Sequence, residues 1–481
     1  MLALLLLLQA TPQAPQWDVT QPRGKTREIS FTTSEGTWMS VDISPDGQWL
    51  VFDLLANVYR MPVAGGTAQN LTGNSGIAIN THPRISPDGK LIAFISDRKG
   101  QNNLWVMNAD GSNPREVFID PGVRISQPAW TADGNYIVVV RDQLPQGSAV
   151  PPSSGIWMFH KDGGQGIELV KDQPGVAWPS LSRDGRYVFF MATPGNFDAA
   201  GAREELKGGA QIRRMDLRTG EISTITSGEH NQQVQGSSGG GVAPEISPDG
   251  KLLAFTRRIP DGTISWKGHK YGPRNALWVR DLMSGRERLV LDPVEIDLAQ
   301  TFKFLRVLPG YTWTPDGSAI IISRGGQFTR VNVATGQTAL IPFTAEVKRT
   351  ISEQAFAPGR ISDSAFTSRF TRWQTASPDG KRLAFQAVGK IWIQDLPNGT
   401  PKRLTSDRFT LFEVSPSWSP DGRWIAFATV DDNSGGQVWK IPPTGGEPTQ
   451  LTREPGEYVH PTWSPDGSEL VVSRGSGESA R

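Results

Sequence analysis

The stretch from Ser86 to Val117, SPDGKLIAFISDRKGQNNLWVMNADGSNPREV, decides the fold. It holds two tight turns, at Asp88-Gly89 and Asp110-Gly111, and strand-forming residues flank both. In the first turn Pro87 presets the backbone for the second position of a type I turn, Asp88 suits the third, and Gly89 takes the left-handed position that follows. Such a corner joins two antiparallel strands through a glycine bulge. The second turn joins another pair. The phrase therefore encodes four strands, a to d, with short a–b and c–d turns.

The phrase recurs along the chain. Asp-Gly pairs of the first kind begin at Asp46, Asp88, Asp133, Asp184, Asp249, Asp316, Asp379, Asp421 and Asp466. Seven lie within S/T-P-D-G, and TADG at Thr131 and SRDG at Ser182 vary it. A second turn follows all but the last, as in VAGG at Val63, NADG at Asn108, LPNG at Leu396 and PTGG at Pro443. The fourth strand often closes on Leu-Thr, as at Leu71-Thr72, Leu404-Thr405 and Leu451-Thr452. Four strands in about 40–45 residues make the blade of a β-propeller. One blade cannot cover both faces of its own sheet, so blades must stack around a ring. The expected fold is thus all-β, a propeller of four-stranded antiparallel blades with nine repeat units, the last incomplete. Two arrangements remain open: one six-bladed ring plus the start of a second, or one large ring. Trp130, Trp313, Trp418 and Trp463 fall late in strand a and Trp105, Trp157, Trp278, Trp392 and Trp439 in strand c, where large side chains fill the wedge between blades.

Composition agrees with this picture. The chain has 481 residues, with Gly 52, Pro 36 and Trp 16, and 37% hydrophobic residues. Its net charge is +1 with acids and bases interspersed, so no basic stripe marks a nucleic-acid groove. No cysteine is present, which excludes disulfides, thiolate metal sites and a cysteine nucleophile. MLALLLLLQA followed by TPQAPQ reads as a signal peptide over residues 1–16, implying a periplasmic or secreted protein; a retained N-terminal anchor is the other reading. No later segment is long and apolar enough to span a bilayer. Residues 25–345 hold six repeat units, and 346–481 hold further blades that begin a second ring.

Antiparallel geometry puts the a–b and c–d turns on one face of the ring and the b–c and d–a connections on the other. Length varies almost only in the second set, at 141–155, 193–210, 256–275, 227–241, 292–306 and 343–372. Long loops on a rigid scaffold are the usual seat of binding. A hydrolase domain or an envelope protein is the expected partner of this face.

Catalytic and metal motifs are scarce. The histidines are His82, His160, His230, His269 and His460, and none forms H-x-H or H-E-x-x-H. No G-x-S-x-G elbow occurs. His82 and His460 share the context H-P-x-[IW]-S-P-D-G, just before strand a, which puts them near the channel mouth on the long-loop face. With His230 and His269 in long loops, these four are the candidate binding-face residues. Asp431-Asp432-Asn433 lacks the spaced ligands of a calcium loop, and GSSGGG at Gly236 lacks the Lys-Ser/Thr of a phosphate loop. No catalytic residue, metal ligand or cofactor is assigned.

The pattern S-P-D-G-[KR]-x-[IL]-A-F, with the downstream L-W-[VI] and G-G-x-P-x-x-L-T, resembles the TolB-type, WD-repeat-like β-propeller; it is clearest from Ser86, Ser377 and Ser419. The resemblance covers about residues 27–474 and implies the fold rather than an activity. REISFTTSEGTWMSVDISPDG and the segment 341–404 further resemble the N-terminal propeller region of exported amidohydrolase-family proteins. That resemblance implies a propeller flanking a metal-dependent hydrolase barrel, whose metal-binding residues have no counterpart in this chain. Tricorn-type and prolyl-oligopeptidase-type peptidases carry similar propellers, with catalysis elsewhere. A freestanding TolB-like periplasmic interaction protein is the alternative.

Overall fold

The computed structural model describes residues 18–143, 153–171, 175–192, 210–226, 240–259, 264–266, 269–271, 274–294, 310–353, 364–431 and 435–475. They form strands and turns, with no helix among them. The chain divides into two compact units, one of residues 1–260 and 274–355, the other of 261–273 and 356–481.

The S-P-D-G corner is built as its chemistry dictates. The Ser86 hydroxyl donates to Asp88 Oδ1 at 2.7 Å and accepts the Leu91 N–H at 2.9 Å. The Gly89 N–H closes the turn onto the Ser86 carbonyl. The same hydroxyl-to-carboxylate bond recurs in all nine corners, with Thr131 and Thr314 as donors in two of them. It holds the aspartates below the usual carboxylate range. Thr314 and Ser464 head the donors that bring Asp316 and Asp466 down to about 2.

The first unit contains six sheets in chain order, at 41–70, 80–118, 123–170, 177–226, 242–294 and 312–341. Each has four strands in sequential antiparallel order, apart from an addition to the first sheet. Apolar residues fill the wedges between neighbours. Trp49, Val51 and Leu71 of blade one pack with Ile85, Phe94 and Trp105 of blade two. The ring closes at six, because Phe52 and Tyr59 of blade one share a core with Ile321 and Phe328 of blade six. The corners show the same closure. Gly89, at φ 73°, sits so that a methyl added there would lie 3.6 Å from Pro45 of the preceding corner. On Gly47 the methyl would lie 3.7 Å from Pro315 of blade six.

Closure uses strands that the repeat pattern does not reveal. The segment expected as a d–a loop at 343–372 begins with a ten-residue strand, Phe343–Ser352. It runs parallel to Gly66–Asn70, the outer strand of blade one, and antiparallel to Thr26–Thr33. The N-terminal strand therefore completes the outside of a six-stranded first sheet and adds nothing to the ninth repeat. The alternation of Phe343, Ala345 and Val347 into the core is a strand pattern, obscured in the sequence by its position between repeats. The 256–275 segment is also less of a loop than expected: strand b reaches Ile259, strand c begins at Arg274, and Ile264–Trp266 pairs with His269–Tyr271 between them.

The second unit holds four-stranded sheets at 372–403 and 412–450, then the pair Tyr458–Trp463 and Leu470–Arg474. Leu404, Trp418, Phe427 and Ile441 fill the wedge between its first two sheets.

Candidate functional site

Strand a lines the channel of the first unit, and in four of its blades that strand carries a bulge. The bulged residues, His82, Gln127, Trp178 and Ala243, have φ of 51° to 55°, and a proline follows each. Ladder register shifts at each of these points. Left-handed backbone at a non-glycine residue costs about 1–2 kcal/mol, so neighbours must hold it. Asp53 of blade one accepts the N–H groups of Ser40 and His82, both at 2.7 Å, and Gln127 Oε1 accepts the Trp178 N–H at 2.7 Å. Burial pushes the Asp53 carboxyl up to about 6, against the pull of those two N–H groups.

Two residues beyond the bulge lies the level that decides what the channel can do. Blades one to six present there Asp42, Arg84, Ala129, Ser180, Glu245 and Thr312. Arg84 and Glu245 stand on opposite blades and meet at 3.1 Å, barring the channel. The other polar side chains at this level are engaged as well. The Ser180 hydroxyl donates to Glu245 Oε2 at 3.0 Å, and Thr312 donates to Asp42 Oδ1 at 2.9 Å. Asp42 Oδ2 accepts the Ile85 N–H at 2.8 Å and so ties blade one to blade two. Two tryptophans fix the bar's backbone: Trp130 Nε1 donates to the Arg84 carbonyl and Trp313 Nε1 to the Glu245 carbonyl, each at 2.9 Å. Gly310 leaves the room, since a Cβ there would lie 2.9 Å from Arg84 Nη2. Burial pushes the Glu245 carboxyl up to about 7, although Arg84 and Ser180 pull it down.

The bar splits the channel in two. Toward the bulges lies a chamber of about 30 Å³, walled by His82, Gln127, Trp178 and Tyr311 with prolines between them. Toward the S-P-D-G corners lies a vestibule of about 300 Å³, rimmed by Pro45, Pro87, Ala132, Arg183, Pro248 and Pro315. Arg84 and Glu245 line both.

His82 lies in the chamber wall, its imidazole pushed down to about 4 by burial and by Arg84. His460 occupies the equivalent bulge, at φ 53°, in the second unit. His160 ends a strand at the opposite face, beside Asp162 and against the Tyr136 ring. His230 lies outside the described residues, as does most of the long-loop length and the segment 1–16 expected as a signal peptide, and nothing is described of the His269 side chain. Asp432, Asn433, Ser434 and residues 236–239 are also outside them. Arg84, Glu245 and Gln127 escape motif reading, because no motif contains them. The signal was the column two places before the Ser or Thr of each corner, where charged residues replace the Thr375, Ser417 and Thr462 of the second unit. Among the described residues no cluster of three His, Asp or Glu side chains is placed to hold a metal ion.

These features define a six-bladed, closed propeller with a barred channel, followed by a second unit built from the same repeat. The chain belongs to the TolB beta propeller domain family, whose model matches residues 13–199 and 351–481. Among curated relatives, the Tol-Pal system protein TolB of Francisella tularensis is 31% identical over 230 residues, covering 44% of this chain and 43% of that protein. Tricorn protease homolog 1 of Streptomyces coelicolor is 24% identical over 466 residues, covering 91% of this chain and 41% of that protein. The uncharacterized peptidase YuxL of Bacillus subtilis is 28% identical over 193 residues, covering 40% of this chain and 23% of that protein. The chain thus spans less than half the length of each of these relatives.

Proposed function

We propose that this chain is a noncatalytic binding module of an exported, periplasmic protein, and that the vestibule of its first ring receives a segment of a polypeptide partner. The observation that carries this reading is the Arg84–Glu245 bar, which makes the channel a cup rather than a passage. The Asp42, Ser180 and Thr312 side chains hold neighbouring strands or the bar itself, which suits a rigid recognition surface better than turnover. At about 300 Å³ the vestibule lies at the lower end of the volumes of ligand-binding pockets.

A photoreactive residue in place of Ala132, on the vestibule rim, tests the reading in intact cells. It is expected to crosslink to a polypeptide, and R183E in the same chain is expected to change the yield severalfold. Equal labelling from the exposed Met283, on an outer turn, would refute the vestibule as the docking point.

A second reading concerns the setting. The match to one peptidase homologue runs along 91% of this chain but 41% of the homologue, and residues 27–47 and 341–404 resemble propeller regions that flank amidohydrolase barrels. In that setting the module would screen access to a hydrolytic domain; in the alternative it acts alone, as a TolB-like interaction protein. Sequencing the reading frame beyond the codon for Arg481 separates them: a metal-ligating barrel supports the first and a stop codon the second.

A further inference from the structure

The bulge-side chamber holds an unmet demand. Gln127 is 7% exposed, and its Oε1 is fixed by the Trp178 N–H, which fixes the amide orientation. Its Nε2 is left with no hydrogen-bond partner among the described residues. A buried donor without an acceptor is costly, and such groups are normally satisfied. Arg84 and Glu245 of the bar both line the same chamber, and its apolar walls include Trp178, Pro128, Pro179 and Pro244. The volume of about 30 Å³ suits about two water-sized groups, the size of a carboxylate head. Donors at one end and apolar walls at the side describe an acceptor carried on a short apolar stem.

We propose that this chamber is a subsite for a short-chain carboxylate, bound by the Arg84 guanidinium and the Gln127 amide, with Arg84 exchanging Glu245 for the ligand. The subsite stands apart from the polypeptide partner proposed above, since it opens on the other side of the bar. The charged and titratable groups around the incoming oxygens are Arg84, Glu245, His82 and Tyr311, with Asp42 4.0 Å from Arg84 and Asp53 bonded to the His82 N–H. A second anion beside Glu245 is repelled by its ionised form. Binding is therefore tighter where Glu245 is protonated, below about 7.

The test is calorimetric titration of the full chain with acetate, using acetamide and chloride as comparisons. Acetate is expected to bind about tenfold more tightly near pH 6 than near pH 8. E245Q should bind acetate more tightly than wild type near pH 8 and lose the pH dependence. Q127E retains an acceptor for the Trp178 N–H but replaces the amide donor with a negative charge, and should weaken acetate at least tenfold. The proposal is overturned if wild type does not bind acetate at about 100 mM, if chloride or acetamide binds as well as acetate, or if E245Q binds no better than wild type near pH 8. It is equally overturned if folded Q127E retains wild-type affinity.

Discussion

Glu245 gives the sharpest prediction about stability. Its side chain is 25% exposed and sits beside Arg84 and Ser180, and desolvation raises its pKa from 4.5 to about 7. Below about pH 4.5 the group is protonated in the folded and unfolded chain alike. Between 4.5 and about 7 the folded chain keeps a proton that the unfolded chain has lost, so stability falls as pH rises across that window and levels off above it. A shift of this size corresponds to about 3 kcal/mol. In E245Q the single amide oxygen can still accept from Arg84, the amide NH2 faces the Ser180 hydroxyl as a donor, and the group cannot titrate. Urea unfolding followed by tryptophan fluorescence should show wild type losing about 2–3 kcal/mol more than E245Q between pH 5 and pH 8, the rest of the shift falling below pH 5. The offset between the proteins at one pH is not the tested quantity, because the glutamine also weakens the attraction to Arg84. Asp53, raised to about 6, contributes a slope of the same sign to both proteins and cancels in the difference. Parallel pH profiles would refute the placement of a strained carboxyl in the bar.

Other outcomes follow from the same geometry. Phe52→Ala empties the core that joins blade one to blade six and should cost about 3–5 kcal/mol, read as a lower urea midpoint for the first unit. Ser86→Ala strips the Leu91 N–H and Asp88 of their shared hydroxyl and should cost about 1–2 kcal/mol in the same assay, with the Asp88 carboxyl titrating at a higher pH by NMR. Trp418→Phe removes the indole bond to the Thr375 carbonyl and thins the wedge on which Arg382 stacks, and should destabilise the second unit by about 2–3 kcal/mol, leaving amide exchange in the first unit unchanged.

What the sequence disclosed depended on repetition. Corners such as Ser86-Pro87-Asp88-Gly89 carry their own geometry, because proline, a short carboxylate and glycine each fix one backbone position. Nine copies made the blade count legible. Closure was half legible: residues 27–33 read as an outer, ring-closing strand, but its partner Phe343–Ser352 occurs once, between repeats, and pairs hundreds of residues away. Equivalence by motif also picked out only part of a set. His82 and His460 stood out as histidines, yet Gln127, Trp178 and Ala243 occupy the same bulge, and the position matters through its backbone. The Arg84–Glu245 pair could not be read from spacing, because nothing local relates blade two to blade five. Only the ring's symmetry brings them face to face.

That symmetry also explains why closure and site are one matter. In an open arc, residues three blades apart need not approach each other, and a channel arginine would be solvated. Here the ring is locked from outside its repeats: Thr26–Thr33, which precedes blade one, lies in register with Phe343–Ser352, which follows blade six, across eight residue pairs. The later strand also continues the first sheet through Phe343, Thr344 and Ala345. The Phe52–Phe328–Phe343 aromatic cluster joins blade one, blade six and the locking strand in one core. With the circumference fixed, the guanidinium of blade two and the carboxylate of blade five are forced to 3.1 Å in a space that Gly310 has cleared. The raised Glu245 carboxyl is thus a property of the closed ring rather than of its own blade. Anything that loosens the lock returns Glu245 to water and its pKa toward 4.5, so the titration that measures the bar measures closure as well.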